Sequence, residues 1–124
     1  MLDIFKKKKK YGVTRRDVYS LHVMFSEYML NKIQFMYDYV EDMQHIPNKL
    51  SEQGDEIGTM TVLEWKCILG EILFALRYDV YGNDEEIPED LSAVGEYLTD
   101  SYEKEFRYKQ GLRLFGVYYS HLWG

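Results

Sequence analysis

Residues 61–82, TVLEWKCILGEILFALRYDVYG, decide the fold. Thr61 is a helix-capping residue, and Glu64 follows three positions later. That spacing lets each side chain satisfy the other's backbone N–H in a capping box. Val62, Trp65, Leu69, Ile72, Leu73 and Leu76 then recur three and four residues apart, the period of an amphipathic helix. Gly82 is suited to end it, because glycine adopts the left-handed conformation without steric cost. The stretch reads as a helix over 62–81.

The same period extends in both directions. Upstream, Thr14 is a cap with Asp17 in the answering position. Val18, Leu21, Phe25, Tyr28, Met29, Ile33, Met36, Val40 and Met43 continue the spacing. This predicts a helix over about 15–44, roughly 45 Å long at 1.5 Å per residue. Pro47, Asn48, Ser51, Gly54 and Gly58 make 45–60 a loop. Downstream, GNDEEIPED at 82–90 is an acidic turn, and Pro88 suits the first turn of a third helix. Leu91, Val94, Leu98, Tyr102, Phe106, Leu112, Phe115, Tyr119 and Leu122 carry it to about 122, with a break allowed at 99–101. Strand alternation is absent over any useful length. The expected fold is all-α: three long antiparallel helices (about 15–44, 62–81 and 88–122) in one domain, residues 14–124, behind a basic N-terminal arm, residues 1–13.

Composition bounds the function. A chain of 124 residues buries about two thirds of its unfolded surface, so it needs neither disulfide nor metal to fold. One cysteine, Cys67, excludes an internal disulfide. No apolar run approaches the roughly 18 residues that a membrane span requires, and the lysines of MLDIFKKKKK follow its apolar residues, the reverse of a signal peptide. A cytoplasmic location is expected, with no membrane partner. Residues 1–16 hold seven basic residues against Asp3, a net of +6, and the whole chain is −6, so residues 17–124 carry −12. Such an acidic body repels a phosphate backbone and speaks against duplex DNA. The lysine run Lys6–Lys10 is read first as a solvated terminus, with contact to RNA, DNA or an anionic membrane as the alternative.

Catalytic and metal patterns are missing. His22, His45 and His121 lie far apart in sequence, and no metal-ligand spacing, calcium loop or phosphate loop occurs. Cys67, beside Trp65, reads as a small buried hydrophobe. Glu64 and Glu71 read as surface carboxylates. The chain is expected to be no enzyme and to need no cofactor. Aromatics are the anomaly: twelve tyrosines, six phenylalanines and two tryptophans exceed what one small core takes up. They predict a homo-oligomer, a dimer being the commonest closed form.

The closing segment adds a resemblance. GLRLFGVYYSHLW at 111–123, WKCIL at 65–69 with Ala75 in the next turn, DVYSL at 17–21, and Arg107 four residues before Gly111 resemble the motifs of a family of small, uncharacterised tailed-bacteriophage proteins. The resemblance implies a phage-encoded cytoplasmic helical protein and assigns it no reaction. Phages use small proteins to withhold nucleotide signals from host defence. Arginine and lysine on phosphate, with tyrosine stacked on a base, are the matching chemistry. The candidate ligand set is therefore Arg107, Lys109, Arg113, Tyr118 and Tyr119, joined by Arg15, Arg16 and Tyr19. The alternative is an inhibitor of a host protein, acting through the acidic, tyrosine-rich surface. Glycines 70, 95, 111 and 116 each cost a helix about 1 kcal/mol against alanine, so close backbone packing is expected where they fall.

Overall fold

The computed structural model describes residues 21–43, 45–82 and 94–122, with the backbone alone at 94–97. The basic arm, the Thr14–Asp17 cap, Arg15, Arg16, Tyr19, the acidic turn after Gly82, Pro88 and Trp123 lie outside them. Three helices make the fold: α1, Leu21–Asp38; α2, Val62–Tyr81; and α3, Val94–Val117. The architecture is all-α. In the loop between α1 and α2 there is a small addition, an antiparallel pair of β1, Lys49–Leu50, and β2, Glu56–Gly58, with an irregular register. Gly54 closes its turn at φ 87°, a conformation that glycine adopts freely. Two such short strands are below the length at which alternation is readable.

α2 forms where the sequence places it. The Thr61 hydroxyl accepts the Glu64 N–H at 3.1 Å, and Glu64 Oε1 accepts the Thr61 N–H at 3.4 Å. Gly82 ends the helix at φ 69°, its N–H donating to the Tyr78 carbonyl at 2.8 Å. Trp65, Leu69, Ile72, Leu73, Ala75 and Leu76 are buried. They meet Ile33, Met36 and Val40 from α1 and the turn after it, and Tyr118 from beyond α3. Contacts pair Ser26 with Asp79 and Tyr37 with Lys66, so α1 and α2 run in opposite senses. Tyr108 meets Asp79 while Tyr118 meets Trp65, so α2 and α3 do the same. No described helix is long and apolar enough to cross a membrane.

Two boundaries and two faces differ from expectation. α1 gives way at Tyr39 to turns closed by i+3 bonds, Asp42 N–H to the Tyr39 carbonyl and Met43 N–H to the Val40 carbonyl. This tightening accompanies Val40 into full burial. α3 runs unbroken through 99–101 but stops at Val117, before a 3-10 turn at Tyr119–His121. There Tyr118 drops into the core. On α1 the apolar period serves two stripes. Ile33, Met36 and Val40 are inside, whereas Leu21, Phe25 and Tyr28 are exposed. On α3, Leu98, Tyr102, Phe106 and Leu112 are also exposed rather than core, as is Tyr119 in the 3-10 turn.

α3 contacts α2 through Gly111. A Cβ there would stand 2.6 Å from the Ala75 Cβ and would run into the Glu71 carbonyl oxygen. The two backbones are therefore closer than any side chain permits. Gly116 faces open space. Gly111→Ala is expected to lose about 1–3 kcal/mol, because overpacking outweighs the helix propensity gained. Gly116→Ala is expected to gain up to about 1 kcal/mol. Urea unfolding of both variants reads the contrast, and equal shifts would remove the close contact as the reason for Gly111.

Candidate functional site

Lys66, Gly70, Leu73 and Arg77 stand four, three and four residues apart, so they share one face of α2. That face is the floor of an open cleft of 560 Å³, within the usual range for small-molecule sites. Gln34 and Tyr37 of α1 bound one side, and Arg107 of α3 reaches in from the other. Gly70 keeps the floor low: the Tyr37 ring edge lies 3.5 Å from where a Cβ would be.

Arg107 is the best-held cation. Its Nε donates to both Glu71 oxygens, at 3.0 and 3.2 Å, and its Nη2 to Oε1 at 3.0 Å. Its guanidinium lies 4.2 Å from the centre of the Phe74 ring. The hydrogen bonds to Glu71 raise its pKa further, so it stays charged at any accessible pH. Lys66 sits 4.9 Å over the Tyr37 ring, a cation–π contact. Arg77 donates to the neutral Gln34 amide, whose own nitrogen donates to Asp38 at 2.9 Å. Among the described residues neither Lys66 nor Arg77 is ion-paired with a carboxylate. The cleft thus gathers three cations around one carboxylate among its described lining residues, a net positive lining in an acidic protein. Cys67 lines it and is exposed, not buried as its neighbour Trp65 suggests. Residues 66 and 67 follow Trp65 around the helix and point away from the core.

Of the expected ligand residues among those described, Arg107 alone borders this cleft. Lys109 pairs with Glu105 on the surface of α3 at 3.4 Å. Arg113 reaches the other way, to Glu52 of the loop at 2.7 Å. Tyr118 is a core residue, 2% exposed. Its hydroxyl accepts the Leu50 N–H at 2.9 Å, and its ring lies 5.5 Å from Trp65, so it has no free face on which a base stacks. Tyr119 is exposed and packs edge-on against Phe115. Arg15, Arg16 and Tyr19 lie outside the described residues. Lys66, Arg77, Gln34 and Tyr37 went unread. The 4-3-4 spacing from Lys66 to Arg77 was the available signal, but the α1 side of the cleft exists only once the helices pack.

Other polar groups are tied into the structure. Glu64 serves the α2 cap and bridges Lys49 at 2.7 Å, which with the cap's hydrogen bonds holds its carboxyl below the usual range. His45 and His121, distant in sequence, stack at 6.1 Å with rings 6° from parallel. Among the described residues no group of three His, Cys, Asp or Glu is placed to hold a metal. Asp79 joins all three helices: it accepts the Ser26 hydroxyl at 2.7 Å and the Tyr108 hydroxyl, while the Tyr108 ring packs on Tyr78 at 4.6 Å. Compared with family models, curated proteins and solved structures, the chain matches none.

Burial, followed by the hydrogen bond to Asp79, pushes the Tyr108 phenol up to about 12. An unfolded tyrosine ionises near pH 10. The contact's contribution is therefore complete below pH 10 and is lost as pH rises from about 10 to 12. Wild type is expected to lose urea resistance across that window more steeply than Tyr108→Phe. Parallel pH profiles for the two proteins would contradict the assignment.

Proposed function

We propose that this chain is a non-catalytic binding protein whose cleft takes up a nucleotide-like anion. Given the resemblance of its closing segment to tailed-phage proteins, it serves a phage in the host cytoplasm by withholding such a signal from host defence. One observation carries the reading: Lys66 and Arg77, without carboxylate partners among the described residues, stand with Arg107 around a cavity of 560 Å³. Arginine takes phosphate oxygens two at a time, and lysine adds a point charge. Tyr37 offers an aromatic ring at the rim, and Gln34 an amide with both donor and acceptor. The sole carboxylate among the cleft's described lining residues, Glu71, is engaged by Arg107 through both oxygens. That arrangement suits holding an anion better than transferring a proton.

Each charge-assisted contact to phosphate contributes about 1.5–3 kcal/mol, so Arg77→Ala and Lys66→Ala are each expected to weaken binding roughly tenfold to a hundredfold. Arg77 is exposed and Lys66 half-buried outside the core, so the thermal midpoint should move little. Calorimetry against cyclic dinucleotides and ADP-ribose derivatives is the direct measurement. Arg113→Ala, on the other side of α3, is the control and should bind as wild type. Ligand should also shield Cys67 from a thiol reagent. If no member of the panel binds, or if Arg113→Ala weakens binding as much as Arg77→Ala, the cleft is not the site. Inhibition of a host protein through the acidic surface then becomes the better reading.

A further inference from the structure

The second stripe on α1 has an internal symmetry. Leu21, Phe25, Tyr28, Lys32 and Phe35 of α1, and Tyr39 just past its end with its N–H still bonded to the Phe35 carbonyl, follow one another at spacings of four, three, four, three and four. This is the a/d spacing of a coiled-coil seam. All five apolar members are exposed, from 40% at Phe25 to 64% at Tyr28, and none belongs to the core. The seam is also palindromic about position 30. Turned end for end on itself, it sets Leu21 against Tyr39, Phe25 against Phe35, and Tyr28 against Lys32. Those three pairings are the a–d layers of an antiparallel pair.

The geometry points to a second copy of this chain as the occupant of that stripe, α1 packing on α1 of the other copy in antiparallel sense about a two-fold axis near residue 30. A two-fold interface uses the same patch on both copies and must be self-complementary, and this stripe is. Charge selects the direction. Lys32 is the one charged residue in the seam, and within the chain it already lies 3.8 Å over the Tyr28 ring. The antiparallel sense gives it the other copy's Tyr28, a second cation–π contact. The parallel sense sets lysine against lysine. Area is adequate as well. Phenylalanine and tyrosine each bury about 150–250 Å². Half-exposed, the five apolar side chains of two copies together remove on the order of 1,000 Å² from water, the threshold for a specific interface. The cleft lies on the opposite flank of α1's buried stripe, at Gln34 and Tyr37, so pairing leaves it open and does not depend on it.

Light scattering on the full chain at micromolar concentration tests the pairing. The expected mass is twice 14.9 kDa. Phe35→Glu should return the monomer mass with unchanged circular dichroism. Tyr28→Lys, which sets a lysine against Lys32, should do so independently. Direction is read by disulfides in a Cys67→Ser background. A mixture of Leu21→Cys and Tyr39→Cys should join the two variants to each other. Leu21→Cys alone should not join, since its two copies stand about 27 Å apart along the pair at 1.5 Å per residue. A wild-type mass of one chain, a dimer that survives both charged substitutions, or a 21–21 disulfide would each overturn the proposal. Nucleotide binding does not enter the readout, so the cleft and the pairing fail or succeed separately.

Discussion

The contact of Gly111 with the α2 backbone sets the position of everything on α3. With no side chain between them, the Glu71 carbonyl and the Ala75 methyl lie directly against the α3 backbone. Four residues toward the N-terminus, one helical turn away, Arg107 then meets Glu71, and three away Tyr108 meets Asp79. Seven residues in the other direction, two turns away, Tyr118 reaches Trp65. Helical rise fixes these intervals, so widening the crossing at Gly111 loosens the cleft, the Asp79 junction and the core together. A glycine in mid-helix is intrinsically unfavourable, and here its cost is offset by three separate tertiary contacts.

The three helices divide the work according to their faces. α2 is enclosed on one side by α1 and on another by α3, and its remaining face is the cleft floor. Its core face is wholly apolar, while its cleft face sets Lys66 and Arg77 among Leu63, Glu71, Leu73 and the small residues Cys67 and Gly70. α1 contributes one stripe to the core and keeps another outside. α3 contributes backbone proximity at Gly111, the partly buried side chains of Leu114, Phe115 and Val117, the Tyr108 hydroxyl, and the charges of Arg107 and Arg113. This explains the tyrosine content in part. Tyr37, Tyr78, Tyr108 and Tyr118 each place a ring against protein, and the last two also use the hydroxyl at a helix or strand junction. Phenylalanine supplies the ring without the hydrogen bond.

α2 was legible in the sequence to the residue, because its cap, its stripe and its terminal glycine agree. α1 was legible as a helix but not as a face. Apolar residues occupy two stripes, and a period of three and four is satisfied by either, so spacing alone cannot say that Ile33 is inside and Tyr28 outside. α3 misled for a related reason: its aromatics have the right period, yet it leans on α2 by Gly111 and leaves Tyr102 and Phe106 in water. The candidate site was legible only at Arg107. Tyr118 and Arg113 are the residue types that bind nucleotides, but type does not distinguish a ligand contact from a core hydroxyl or an ion pair to a loop. Lys66 and Arg77 were visible as neighbours on one face. What makes them a site is Gln34 and Tyr37, more than 25 residues earlier, and that juxtaposition is tertiary.

The hydrogen bond from the Leu50 N–H to the Tyr118 hydroxyl joins positions 68 residues apart. α1 and α2 are neighbours along the chain and find each other by closing the connection at 39–61. The Tyr118 bond forms only after α3 has docked, and loop closure over such a span is slow and entropically opposed. The β1 amide at Leu50 is thus capped by a residue far along the chain, and opening of the α3 end exposes it. Its exchange with solvent hydrogen follows the opening of the α3 end, not the unfolding of the hairpin in which it sits. A single backbone proton therefore reports whether the α3 end is docked on the hairpin.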